Sequence, residues 1–168
     1  MIRLTDKYAI FYTEWPSNFC KTHFKWKCFS EEHEFFCTEQ AFMWAKAKFF
    51  KDEETAKKIL AEEVEPMVCK SLGRQVKNYD DVAWEKVRYE MMLKPNIERF
   101  LQDQVLQNKI IDPRFDGLMF VEASPWDRIW GCGLSMSDPK ILDEKNWTGR
   151  NLLGKVITEV RKNILPSK

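Results

Sequence analysis

Glu39 and Lys46 are the residues whose types and spacing suggest chemistry. They lie in the run Thr38–Phe50, which contains no Gly or Pro and reads as a helix with Thr38 as its N-cap and Glu39 in the first turn. At 3.6 residues per turn, Glu39, Met43, Lys46 and Phe50 form one stripe, flanked by Phe42 and Phe49. A carboxylate and an ammonium therefore share an apolar face, roughly 10 Å apart along the axis, a separation suited to gripping something between them. Taken alone, Glu39 would be a helix-end charge and Lys46 a side chain snorkelling to water. Burial would instead lower the Lys46 pKa and make its neutral amine available as a nucleophile or acid.

Other candidates lie elsewhere in the chain. Leu118–Glu122 is a short apolar strand ending in a carboxylate before a Ser-Pro loop, which puts Glu122 and then Asp127 at a strand end. Read without context, Glu122 is a surface carboxylate and Asp127 a turn residue after Pro125. Arg74, Lys94 and the start of a helix at Asn151, near Gly149 and Gly154, suit phosphate recognition. Trp15, Phe19 and Trp130 are candidate stacking surfaces for a base, and Trp130 gains close approach from Gly131. Core packing is the expectation for Trp84. Neither a G-x-G-x-x-G nor a Walker sequence occurs.

The elements that must position these residues follow from capping and periodicity. Tyr8–Tyr12 is β-prone and leads into a Pro/Ser/Asn loop; Phe24–Phe29 alternates as a strand, with Glu34–Cys37 as its hairpin partner. Asp52 opens a helix through Ala61, and Pro66 starts a short one ending near Gly73. Asp80 or Asp81 caps a helix that Pro95 should break or kink before a further helix through Gln102. Ser135–Thr148 reads as loop, and Asn151 caps a last helix with Leu152, Leu153, Val156, Ile157, Val160 and Ile164 inward.

Composition narrows the class. With 168 residues, 44% hydrophobic, the chain predicts a single compact domain over 1–168. Its net charge of +1 gives no bulk attraction to nucleic acid or anionic lipid. Cys20, Cys28, Cys37, Cys69 and Cys132 lack C-x-x-C spacing, and His23 and His33 have no ligand-spaced neighbours; free thiols and no metal site are expected. No apolar leader or membrane span is present, so a cytoplasmic location is the expectation.

Taken together, Phe11-Tyr12 with Ser17-Asn18-Phe19, Glu39-Gln40 with Phe42 and Lys46, Met67-Val68 through Gly73-Arg74, Trp84 with Met92 and Lys94, Val121-Glu122, Asp127 with Trp130-Gly131, and Asn151 with Leu153-Gly154 and Arg161 resemble the YbiA/NADAR family in order and spacing. The resemblance spans essentially the whole chain. It departs at Gln40, where the family often has His, and at Pro95. It implies an α+β, mainly helical fold with a small β-sheet and an N-glycosidase that needs no cofactor. Lys46, Glu39, Glu122 and Asp127 would be catalytic. Trp15, Ser17, Asn18, Phe19, Gln40, Met43, Arg74, Lys94, Trp130, Gly131, Asn151 and Gly154 would bind substrate.

Three functions stay open: removal of ADP-ribose from guanine in nucleosides or nucleic acid, hydrolysis of phosphoribosylamino-pyrimidine intermediates of riboflavin synthesis, and a non-catalytic ADP-ribose or NAD module. So many ionisable groups disfavour the last.

Overall fold

Capping residues punctuate the chain. The computed structural model describes residues 1–61 and 65–167. In chain order the elements are β1 (Arg3–Leu4), β2 (Tyr8–Phe11), β3 (Phe24–Cys28), β4 (Glu31–Phe35), α1 (Thr38–Phe49), α2 (Glu53–Ile59), α3 (Pro66–Gly73), α4 (Asp81–Gln102), α5 (Gln104–Ile110), β5 (Met119–Glu122) and α6 (Leu152–Ile164). The fold is α+β and mainly helical. Its strands form two small sheets, a three-stranded one and a separate hairpin, where the sequence suggested a single sheet. Residues 1–17 with 104–168 make one compact unit and residues 18–103 another.

In the first unit the sheet order is β1-β2-β5, with β2 and β5 parallel and Phe11 opposite Glu122. All four residues of β2 are buried, as a continuous apolar strand covered on both faces should be. Tyr8, Ile10, Val121, Ala123, Cys132 and Ile141 form its core, closed by Met119, Leu134, Met136 and Trp147. Helix α6 packs on β5, where the Phe120 N–H donates to the Thr158 hydroxyl (2.9 Å). Arg161, buried on α6, donates to the Ile110 carbonyl and pairs with Asp116. Helix α5 was not expected from the sequence; its seven residues bury only Leu106 and Ile110, too few to register as a period.

In the second unit α1 is central, packing against α2, α3 and α4. It is buried nearly all round, so an amphipathic stripe describes it poorly. Its N-cap is Cys37, not Thr38: the Gln40 N–H donates to the Cys37 sulfur (3.4 Å), while the Thr38 hydroxyl donates to Asn96 (3.2 Å). The hairpin pairs β3 with Glu31–Phe35, not with Glu34–Cys37. Phe29 and Ser30 form its turn, both with positive φ (51° and 63°), the hand that suits strand twist. Pro95 does not break α4, which runs from 81 to 102 because Met92, Leu93, Asn96, Arg99 and Phe100 anchor it on both sides of the missing N–H. Asp52, Pro66 and Asp80 start their helices as the sequence indicates.

Candidate functional site

Lys46 is the focus of the second unit's candidates. Its Nζ donates to the Gly73 carbonyl at the end of α3 (2.9 Å) and sits 4.5 Å from the centre of the Tyr79 ring. The Tyr79 hydroxyl is tied to Asp81 (2.7 Å). Gly73 lets α3 approach α1 this closely, since a Cβ there would lie 1.8 Å from the Met43 sulfur. Met43 is thus buried against Gly73.

Burial pulls the Lys46 pKa below its usual value; Glu39 and Asp81 oppose the shift, and Arg74 adds to it. Burial and the Asp81 carboxylate push the Tyr79 hydroxyl up to about 12, so it stays protonated. The helix reading therefore finds Lys46 and Glu39 together but misses Tyr79, Asp81 and Gly73, and Arg74, a separate phosphate candidate in the sequence, joins them here. Asp81 carried only a capping signal, and nothing in the sequence placed Tyr79 over an amine.

At the start of α1 the Glu39 N–H donates to the Asn18 carbonyl (3.1 Å), and Glu39 is 6% exposed. Asn18 is also buried; its Nδ2 donates to the Met92 sulfur (3.1 Å), and its Oδ1 has no partner. An amide oxygen left in this state is a candidate ligand contact. Phe19 is half-buried beneath the Lys70 ammonium (5.8 Å).

One expectation in this unit needs correction. Gln40 is not placed to read a substrate with its amide: its Nε2 donates to the Ile59 carbonyl (2.9 Å) and its Oε1 accepts from the Phe36 N–H (3.0 Å). Lys94 is exposed on α4, where its charge opposes the burial that raises the Cys28 pKa at the end of β3.

The first unit's candidates form a second cluster. Glu122 ends β5 half-buried, and its carbonyl accepts the Cys132 N–H (2.9 Å). Asp127 Oδ1 accepts the N–H groups of Ile129 (3.0 Å) and Trp130 (2.8 Å), so it orders the loop leading to Trp130. Gly131 is required there, because a Cβ would fall 2.7 Å from the Ser124 Cβ and 2.8 Å from the Asp127 carbonyl. Ser17 is buried in a turn in which its N–H donates to the Glu14 carbonyl (2.8 Å). Trp15 stands edge-on to Phe115 (5.8 Å) and Phe120 (5.9 Å), and both Trp15 and Trp130 are half-buried.

Asn151 and Gly154 are corrected as phosphate ligands. The N–H groups of Asn151, Leu152 and Leu153 already donate to the carbonyls of Gly131, Ile129 and Trp130. Asn151, left-handed at φ 52°, does not cap α6 with its side chain. Its Oδ1 accepts the Glu122 N–H (2.9 Å) and its Nδ2 donates to the Phe120 carbonyl (3.0 Å). It extends the β5 hydrogen bonding. Gly154 lies flush on β5, where a Cβ would meet the Phe120 oxygen at 2.1 Å.

The NADAR domain matches residues 3–165. The chain is 38% identical over 132 residues to Protein irg-1 of Caenorhabditis elegans, a stretch covering 77% of this chain and 61% of that protein. It is 33% identical over 171 aligned positions to N-glycosidase R617 of Acanthamoeba polyphaga mimivirus, covering 94% and 96% of the two chains. The NMR structure of the E. coli protein YbiA superimposes with a TM-score of 0.70 over 96% of this chain and 87% of that one, at 23% identity. That likeness is one of fold.

Proposed function

The chain belongs to the NADAR family, and from that premise we propose that it is an N-glycosidase that hydrolyses a ribosyl C1–N bond, removing ADP-ribose from guanine in nucleosides or nucleic acid. Cleavage of an N-glycosidic bond is supported by the relative named N-glycosidase R617, which matches along nearly its whole length. The observation that carries the reading is Lys46: an amine with a lowered pKa, held by the Gly73 carbonyl and the Tyr79 ring, on the helix that also bears buried Glu39.

Breaking the bond develops oxocarbenium character at C1, which a nearby carboxylate stabilises; Glu39 is assigned this role. The neutral Lys46 amine bonds to C1 as the bond to the base breaks, and one amine proton passes to the leaving nitrogen. Ring opening turns the adduct into an imine, with the second amine proton ending on the ring oxygen. Water then hydrolyses the imine and returns the amine. Arg74, exposed beside Lys46, and Lys70, over Phe19, are cations suited to a diphosphate. Glu122 and Asp127 are assigned to the reaction by the family resemblance.

A second reading, hydrolysis of a phosphoribosylamino-pyrimidine, keeps the same chemistry. It is favoured by the backbone N–H groups at the α6 start being already taken, since it needs one phosphate only. Mass spectrometry with both substrates side by side decides. Release of ADP-ribose from ADP-ribosylated guanosine is expected; release of ribose 5-phosphate from the pyrimidine alone moves the assignment to the second reading.

A further inference from the structure

The β3–β4 hairpin of the second unit leaves its two edges in different states. Its two-residue turn, Phe29–Ser30, makes Cys28 and Glu31 a hydrogen-bonded pair, and bonded pairs recur at Trp26 with His33 and at Phe24 with Phe35. The backbone groups of Lys25, Lys27, Glu32 and Glu34 therefore point away from the ladder. On β3, which packs along α4, the edge is covered at Lys25: its N–H donates to Gln102 Oε1 (2.7 Å) and its carbonyl accepts from Gln102 Nε2 (2.7 Å). On β4 the next N–H along, that of Phe36, is taken by Gln40 (3.0 Å). Among the described residues nothing pairs with the backbone N–H and C=O groups of Glu32 and Glu34. Two donors and two acceptors thus stand in a row on an exposed edge, the arrangement that accepts a further strand.

The side chains select the kind of strand. Glu32 and Glu34 share the exposed face of β4, opposite Lys27 and Lys25 of β3, while the other face carries His33 and Phe35 onto Trp44 (5.1 and 5.5 Å between ring centres). Glu31 is bound to Lys48 (3.2 Å) and Glu34 lies 3.5 Å from His23 Nδ1, but the Glu32 carboxylate has no ion pair among the described residues. A row of lysines followed by a row of carboxylates calls for cations in the next row. A second copy of the chain pairing through this edge would set carboxylates against carboxylates, which disfavours self-association.

We propose that the β4 edge docks an extended segment of another protein, with Lys or Arg at alternate positions, as a third strand of the hairpin. Glu32 and Glu34 each give it one backbone donor and one acceptor, and its basic side chains lie beside their carboxylates. Past Glu34 the strand borders a depression of about 790 Å³ lined by His23, Phe36, Leu60 and Glu65, where a side chain of the added segment has room.

The test titrates the full chain into a fluorescein-labelled, acetylated and amidated peptide of about seven residues in which lysine alternates with valine. Anisotropy should show saturable binding, at least about tenfold tighter than for the same peptide with glutamate in place of lysine. Methylating the backbone nitrogens of the lysine peptide keeps its charge and removes its donors, and should abolish binding. By NMR, the bound peptide should slow hydrogen exchange at the Glu32 and Glu34 amides. Glu32→Pro deletes an N–H that lies outside the ladder, so the hairpin is spared and binding should weaken about tenfold. Glu32→Lys, which keeps the backbone intact, should weaken the lysine peptide by about as much and strengthen the glutamate peptide. Undiminished binding of the methylated peptide overturns the proposal, as does equal affinity for the lysine and glutamate peptides or the absence of saturable binding. So does a dimer, seen by sedimentation, that Glu32→Pro dissociates.

Discussion

Replacing Asn151 should cost stability, because its side chain is part of the sheet. Asn151→Ala removes the acceptor of the Glu122 N–H and the donor to the Phe120 carbonyl at a fully buried position. Each unsatisfied group costs ~1–3 kcal/mol, and placing alanine in the left-handed region adds ~1 kcal/mol. The sum is about 3–7 kcal/mol, a large share of a domain's stability. Asn151→Gly loses the same two bonds but keeps φ 52° without strain, so it should be about 1 kcal/mol less destabilised than the alanine variant. Urea denaturation of wild type and both variants measures this. A loss under ~1 kcal/mol in Asn151→Ala, coupled to weaker ADP-ribose binding, would refute the reasoning and return the α6 start to phosphate binding.

The other predictions concern Lys46, its neighbours and one cap. Lys46→Ala should abolish turnover with little change in Tm, and Lys46→Arg should not restore it because guanidinium stays protonated; steady-state kinetics and melting check both. Activity should rise with pH as Lys46 deprotonates below its usual range. Asp81→Asn should move that limb to lower pH and Arg74→Gln to higher pH, since Asp81 raises the Lys46 pKa and Arg74 lowers it; shifts of the opposite sign would contradict the electrostatics.

Glu122→Gln and Asp127→Asn should each lower kcat by at least ~100-fold. Because Asn retains the Oδ1 acceptor of the turn, an unchanged urea midpoint in Asp127→Asn would show that the rate loss comes from charge. Asp52→Ala should cost about 1–3 kcal/mol in urea, since Asp52 caps α2 at Thr55 and accepts the Lys77 N–H (2.9 Å). Chiefly because of the Lys77 N–H, the Asp52 carboxyl lies below its ordinary 3.8. Its contribution is therefore complete above that value and lost as pH falls through its folded pKa.

What the sequence made legible was whatever a local rule encodes. Asp52, Pro66 and Asp80 mark helix starts because caps act within one turn, and Phe24–Cys28 alternates because one face is buried. Pro95 misled because tertiary contacts on both sides of it outweigh one absent hydrogen bond. The Phe29–Ser30 turn carries no glycine to announce its positive φ.

Lys46 was visible as a charge inside an apolar helix; its partners were not, since Gly73 and Tyr79 reach it from distant positions in the chain. Asn151 and Gln40 look alike in sequence to binding amides. Only the backbone groups they satisfy reveal them as structural.

Borohydride trapping during turnover of ADP-ribosylated guanosine tests the role of Lys46 most directly. Reduction of the imine should leave a stable ADP-ribosyl-derived mass on the peptide containing Lys46, absent in Lys46→Arg and in the enzyme without substrate. Continued release of ADP-ribose with no mass on Lys46, together with turnover by Lys46→Arg, would contradict covalent catalysis by this amine.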